Sequence, residues 1–247
     1  LQDNLSGLDL TKAKQLEKDG KLDDAFALNY AMHGSWWSSD KEAMKSTLAG
    51  KSKAEIDALC TKYQKDYGID LRKEITDSTS GRAGFEIGQM MKGEPSTPEE
   101  RLARANEAYD FERGSGSNAF SRGFMDLFSD KGKLLDAQHG RIQELADKAK
   151  AGQLTKAEEQ RIQELTGYQN MDVKTYQESK DQVANTAATA AAVVAATAVT
   201  VASGGSAAPA AVALMSAVAG GGASIATKIA IQDSGYSNED LRTDLIM

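Results

Sequence analysis

The stretch that decides the fold class is Ser52-Lys53-Ala54-Glu55-Ile56-Asp57-Ala58-Leu59-Cys60-Thr61-Lys62-Tyr63-Gln64-Lys65-Asp66-Tyr67-Gly68. Ser52 with Glu55 is a capping-box pattern: the hydroxyl accepts a backbone N–H of the first turn, and the carboxylate reaches back to the cap. Ile56, Leu59, Tyr63 and Tyr67 then fall near one stripe at helical spacing, and Gly68 stands where a helix would end. The same grammar repeats outward. Upstream, Leu10, Ala13 and Leu16 share a face that stops at Gly20. A segment from Lys21 to His33 carries Leu22, Phe26 and Tyr30, residues 34–39 read as a loop, and Asp40 caps a helix with Ala43, Met44 and Leu48. Downstream come a short helix with Ile69, Leu71 and Ile75, a break at Ser78 to Gly81, and a helix with Phe85, Ile87 and Met91.

Beyond the linker Glu94 to Ser96, Thr97 as cap, Pro98 in the first turn and Glu100 make another strong helix start, followed by Leu102, Ala105 and Tyr109. Gly114 to Ser117 breaks the pattern, which Phe120, Phe124, Leu127 and Phe128 resume. Ile142, Leu145 and Ala149 mark a further helix, and Thr155 with Glu158 caps one carrying Ile162 and Leu165. No strand alternation of useful length occurs. The expectation is an all-α multi-helix bundle organised as a helical repeat over 1–95, a bundle region over 96–180, and a hydrophobic hairpin with a tail over 181–247.

Composition narrows the function. The 247 residues carry 29 Lys+Arg against 36 Asp+Glu, a net charge of -7. That balance argues against nucleic acid as a partner, because neutralising phosphates needs a basic face. One Cys excludes an intrachain disulfide framework and a Cys-based zinc site, and two His leave little for a triad or a His-rich metal site. The chain opens on Leu1 with no basic-plus-apolar leader, so the expectation is a piece of a larger polypeptide.

The least ordinary feature is an uncharged run of 46 residues between Asp181 and Lys228. Asn185 to Ser203 is one apolar arm, Gly204-Gly205-Ser206 a turn, and Ala207 to Thr227 a second arm. Each arm is ~20 residues, the length that crosses ~30 Å of hydrocarbon. Small residues such as Ala191, Ala195, Ala211 and Ala219 suit close helix–helix approach in lipid. Against this, Ala is nearly neutral for insertion, and Thr186, Thr189, Thr197, Thr200 and Gly220-Gly221-Gly222 weaken the drive. Two readings follow: a hairpin that enters a membrane conditionally, or a permanently buried spine of a bundle.

Residues 21 to 93 resemble one annexin repeat. The matching text is Ala31-Met32-His33-Gly34, Ser39-Asp40-Lys41-Glu42-Ala43-Met44, Leu48, Ala54-Glu55-Ile56, Tyr63, Tyr67-Gly68-Ile69-Asp70-Leu71 and Ser80-Gly81. The resemblance implies a five-helix unit whose first loop meets the end of its fourth helix at a calcium-dependent membrane site. The candidate calcium residues here are Gly34, Ser39 and Asp77, the last of them next to the family's carboxylate position and expected to point elsewhere on a helix. The loop lacks the family's second Gly, however, and the distant carboxylate position aligns with Ser78. Calcium needs several oxygen ligands, so these departures argue against a calcium cofactor. The hairpin in turn resembles hydrophobic segments of large bacterial multidomain toxins, in which it precedes a C-terminal toxic domain.

Trp36 and Trp37 sit together in the Gly/Ser loop. Exposed loop Trp suits a membrane interface, while a core poor in aromatics favours packing one ring under the loop. The membrane-facing candidates are Trp36, Trp37, Val193, Val194, Val199, Val201, Val212, Leu214, Met215 and Val218.

Enzyme chemistry finds no foothold. His33 and His139 lack flanking metal or nucleophile motifs, and a surface or capping role is expected of His33. The Ser/Gly fragments lack the strand of a nucleophile elbow, and Cys60 reads as an inert half-buried thiol. Glu99, Glu100, Asp110 and Glu112 read as the solvated carboxylates of helix faces. The resulting expectation is a non-catalytic membrane-interacting or translocation module of a secreted or delivered bacterial protein, partnered by anionic membrane and by further domains. The rivals are a soluble structural module with the hairpin buried, and a calcium-dependent phospholipid binder.

Overall fold

The computed structural model describes residues 7–34, 39–114, 119–198, 223–237, 240–241 and 244. Among these residues the regular secondary structure is helical, with one isolated bridge between Ser52 and Glu94. This all-α architecture is the one expected. The chain divides into two compact units, Leu1–Pro95 and Ser96–Met247.

The first unit holds α1 (Gly7–Asp19), α2 (Asp24–His33), α3 (Lys41–Leu48), α4 (Lys53–Tyr67), α5 (Leu71–Ser78) and α6 (Gly81–Met90). Side chains set most of the starts. Asp40 accepts from the Ala43 N–H, Asp70 from Lys73, and the Ser52–Glu55 capping box forms in both directions. α2 begins at Asp24 rather than Lys21, because the Asp23 carboxylate accepts the N–H groups of Ala25 and Phe26 and so fixes the cap there. Leu28, Met44, Leu48, Ile56, Tyr63 and Ile87 form the core of this unit, each essentially without exposed surface.

α1 departs from expectation. Its face of Leu10, Ala13 and Leu16 enters no core, and no residue of the helix is buried. Polar contacts hold it instead: the Tyr30 hydroxyl donates to Asp9 Oδ1 at 2.7 Å, Lys12 Nζ lies 4.1 Å from the Tyr30 ring centroid, and the Asp23 N–H donates to Gln15 Oε1 at 3.0 Å.

The second unit holds α7 (Pro98–Glu112), α8 (Ala119–Phe128), α9 (Lys131–Lys150), α10 (Lys156–Ala198) and α11 (Ala223–Gln232), followed by a 3-10 turn at Asp233–Gly235. Thr97 and Glu100 close the expected capping box of α7, and Thr155 with Glu158 does the same for α10. Leu102, Ala105, Ile142, Leu145 and Ile162 pack one core cluster; Met125, Leu135, Val173, Tyr176, Ala184 and Ile231 pack another. Leu127 and Phe128, read as continuing the apolar pattern of α8, face outward instead.

α10 runs 43 residues without a break, through the 180/181 position at which the change of composition suggested a boundary. Its uncharged part starts against α11: Gln232 Nε2 donates to Asp181 Oδ1 at 3.0 Å, and Ala184 shares a core cluster with Ile231. The two ends of the uncharged run therefore lie side by side. Residues 199–222, with the turn and most of the second arm, lie outside the described residues. Among the described residues no helix is long and apolar enough to cross a membrane.

Candidate functional site

α2, α3, α4, α5 and α6 make a five-helix unit in which the α2–α3 connection meets the end of α5. Gly34 closes α2, its N–H donating to Tyr30 O at 2.7 Å. A Cβ at this glycine would stand 2.5 Å from that carbonyl and 3.0 Å from the Tyr30 ring, so close approach requires glycine here. Across the connection, the Asp40 N–H donates to Ala31 O at 2.7 Å, returning the chain to the end of α2.

Two contacts tie this region to α5. The Ser39 hydroxyl donates to Ser78 O at 3.0 Å, and His33 Nε2 lies 2.7 Å from Glu74 Oε1. His33 is half exposed, whereas only 11% of the Glu74 side chain is exposed. Behind Glu74, Asn29 Nδ2 donates to the hydroxyl of the fully buried Tyr63 at 3.2 Å. Burial, reinforced by the neighbouring Glu74 carboxylate, pushes the Tyr63 phenol up. A half-exposed imidazole is thus backed by a carboxylate, a phenol and an amide, with the carbonyl at the end of α5 taken by a neutral hydroxyl.

Of the residues singled out for calcium, Gly34 and Ser39 lie in the connection as read. Asp77 does not join them: its carboxylate takes Lys73 Nζ at 2.5 Å, one turn back on the outer side of α5. The contact of α5 with the α2–α3 connection is made instead by the backbone carbonyl of Ser78. Among the described residues no group of three His, Cys, Asp or Glu side chains is placed to hold a metal ion. Trp36, Trp37, Val199, Val201, Val212, Leu214, Met215 and Val218 lie outside the described residues, as do the side chains of Val193 and Val194 within α10.

The second unit carries a polar cluster that sequence reasoning missed. Arg113, 4% exposed, reaches Asp136 through Nε (2.7 Å) and Nη2 (2.8 Å), and Asp126 at 2.9 Å. Its Nη1 lies 3.4 Å from the Tyr176 hydroxyl. One guanidinium thereby joins α8, α9 and α10, using the fork geometry that lysine lacks. Gly132 makes room for it, since a Cβ there would fall 2.5 Å from the guanidinium. Burial alone would raise the Asp136 carboxyl, but the Arg113 fork and the Tyr109 hydroxyl overcome it and hold the group below the usual carboxylate range.

Tyr109 donates to Asp136 at 2.9 Å and stacks on His139 with ring centroids 3.5 Å apart. Burial pushes the His139 imidazole down, against the pull of Asp110 and Asp136. His139 is thus a buried ring. Glu112 departs further from its reading as a solvated carboxylate: it is fully buried, hydrogen-bonded by Gln177 Nε2 at 2.8 Å and paired with Lys180. Every one of these side chains looks ordinary in sequence, and partners on other helices, 13 to 68 positions away, are what define them.

Residues 23–84 match the annexin family, a span that covers α2 to α5 and the start of α6. This part of the chain is an annexin-like repeat, as its residues suggested. No curated protein and no solved structure shows a significant match to the chain. The match supports phospholipid-related binding, at an anionic membrane, as the class of function.

Proposed function

We propose that the chain is a non-catalytic module that meets anionic phospholipid membranes without calcium, and that it serves as the conditional membrane part of a larger delivered bacterial protein. The observation that carries this reading is the annexin-like repeat with Ser39 hydrogen-bonded to Ser78 O at the point where the family's calcium site would be assembled. A neutral hydroxyl satisfies that carbonyl, and the carboxylate next to it in sequence, Asp77, is held by Lys73. Lipid contact then falls to side chains rather than to a bridging cation.

The uncharged run 182–227 supports the conditional part. Its two ends meet through Asp181–Gln232 and Ala184–Ile231, as the base of a hairpin would. Nothing charged within the run has to cross a bilayer. Acid is the trigger in this reading, because neutralising carboxylates loosens a chain of net charge -7 and eases its approach to anionic lipid.

The test is flotation and dye leakage with phosphatidylserine-containing vesicles at neutral and acidic pH, each with calcium and with chelator. Flotation indifferent to calcium, with leakage in acid, is the expected result. Calcium-dependent flotation without leakage would return the function to the family's ordinary mode, and no binding under any condition would leave the run as a buried spine.

A further inference from the structure

Two charges bound the uncharged run, Asp181 before it and Lys228 after it, and both are engaged at its base. Asp181 takes Gln232 at the end of α11. Lys228, one turn nearer the run on α11, is held by the C-terminal tail: its Nζ lies 2.7 Å from Asp244 Oδ1. The Tyr236 hydroxyl donates to Asp244 Oδ2 at 2.8 Å, so both carboxylate oxygens are used. Only 21% of the Lys228 side chain and 12% of the Asp244 side chain are exposed, which sets the pair apart from the surface ion pairs that contribute little.

The chain beyond α11 is shaped for this return. It leaves the helix through Asp233, whose φ of 53° lies in the left-handed region that Asp enters more readily than most residues. After the 3-10 turn, the buried Ser237 starts a reciprocal cap. Its hydroxyl accepts the Asp240 N–H at 3.1 Å, and Asp240 Oδ2 accepts the Ser237 N–H at 2.7 Å. Asp244 is thereby brought to a lysine 16 positions earlier.

At its far end α11 is fastened by the buried Ser121 hydroxyl, which donates to Ile231 O at 2.6 Å, and by Gln232. Toward the run, α10 offers small side chains such as Ala184 and Ala188, each of which makes few contacts. Lys228 is the one charge of α11. Without Asp244 that cation would sit mostly buried without its counter-charge, and moving α11 outward would relieve it.

We propose that the tail is an intramolecular clasp: Asp244, gripping Lys228, keeps α11 docked and restrains the second arm from leaving the bundle. The clasp deepens the hairpin reading above and rests on it for the arm's destination, where the freed Lys228 exchanges Asp244 for an anionic headgroup. Burial alone would raise the Asp244 carboxyl, but Lys228 and Tyr236 overcome it and hold the group below the usual carboxylate range. Among the described residues, Lys228 faces it from α11 and Tyr236 from the turn that follows, with Asp240 acting on Tyr236. The clasp is therefore complete above about pH 4 and is lost as acid carries Asp244 through its lowered value.

The experiment reads amide exchange of the full chain in solution and dye leakage from phosphatidylserine-containing vesicles across pH. It compares the wild type, Asp244→Asn, Lys228→Met and the swapped pair Lys228→Asp/Asp244→Lys. Exchange in α11 is expected to quicken about tenfold in each single variant, the factor that about 1.4 kcal/mol represents, with α7 and α9 unchanged. The single variants are expected to leak at a higher pH than the wild type, and the swapped pair to restore both readouts. Should a single variant disturb the fold, Tyr236→Phe, which removes one hydrogen bond to Asp244, carries the same expectation at smaller size. Exchange in α11 that stays unchanged, or that quickens evenly through the second unit, would overturn the clasp, while wild-type leakage would keep the hairpin reading. A loosened α11 with the wild-type leakage profile would overturn the restraint on the arm. No leakage from any of these proteins, with α11 loosened in the variants, would overturn the hairpin reading and leave the clasp as the seal of a buried spine.

Discussion

Lys180 Nζ lies 3.4 Å from Glu112 Oε2, and neither side chain exposes any surface. This buried pair joins the C-terminal end of α7 to α10 one residue before its last charged position ahead of the uncharged run. Removing one partner leaves the other charge buried and alone, which costs about 3–5 kcal/mol, whereas replacing both by apolar groups of similar volume is close to neutral. Glu112→Gln and Lys180→Met are therefore each expected to lower the urea midpoint of the second unit sharply. Glu112→Leu/Lys180→Met together should recover most of the loss. A double variant as unstable as the single ones would mean that the pair does more than satisfy itself.

The second unit should weaken in two stages as pH falls. The His139 imidazole is depressed in the folded state, so its contribution is complete above the unfolded value of about 6.5 and declines below it, where the unfolded chain takes up the proton more readily. Asp136 is depressed as well and adds a further loss below about pH 4. His139→Phe keeps the stack on Tyr109 and removes the first titration. Chemical denaturation across pH should show the upper limb flattened in this variant and the lower one kept.

The capping box at Ser52 offers a local check. The Ser52 hydroxyl and the Glu55 carboxylate satisfy backbone N–H groups at the start of α4, the helix that contributes Ile56, Leu59 and Tyr63 to the core. Ser52→Ala is expected to cost about 1 kcal/mol in equilibrium unfolding of the repeat, with little effect on the second unit.

α1 should be the most labile helix of the first unit. With no buried residue and a polar seam of Asp9, Lys12 and Gln15, it opens at little cost. Amide exchange is expected to run through Gly7–Asp19 well before α2 or α4. Tyr30→Phe, which deletes the hydrogen bond to Asp9, should speed that exchange further without moving the global midpoint by more than about 1 kcal/mol.

Much of the fold was legible in sequence because its signals are local. The caps at Asp40, Ser52, Thr97 and Thr155 act within three residues of themselves, and the stripe of Ile56, Leu59 and Tyr63 needs only the helical period. The annexin-like joint from Tyr63 to Leu71 was readable for the same reason. The site was legible only in part. Gly34 and Ser39 could be placed, but the partners of His33 and Asp77 depended on which way α5 turned its faces.

The sequence by itself determined that this chain is helical, where most helices begin, that an annexin-like repeat occupies its first third, and that an uncharged run follows Asp181. Only the tertiary structure decided that Glu112 and Lys180 are buried together, that Arg113 joins three helices, that α1 lies on a polar seam, and that Leu127, Phe128 and Leu134 face outward. The division follows the range of the forces. Caps and periodicity are written within a helical turn, whereas burial and ion pairing depend on which distant surfaces meet, and no single segment carries that information.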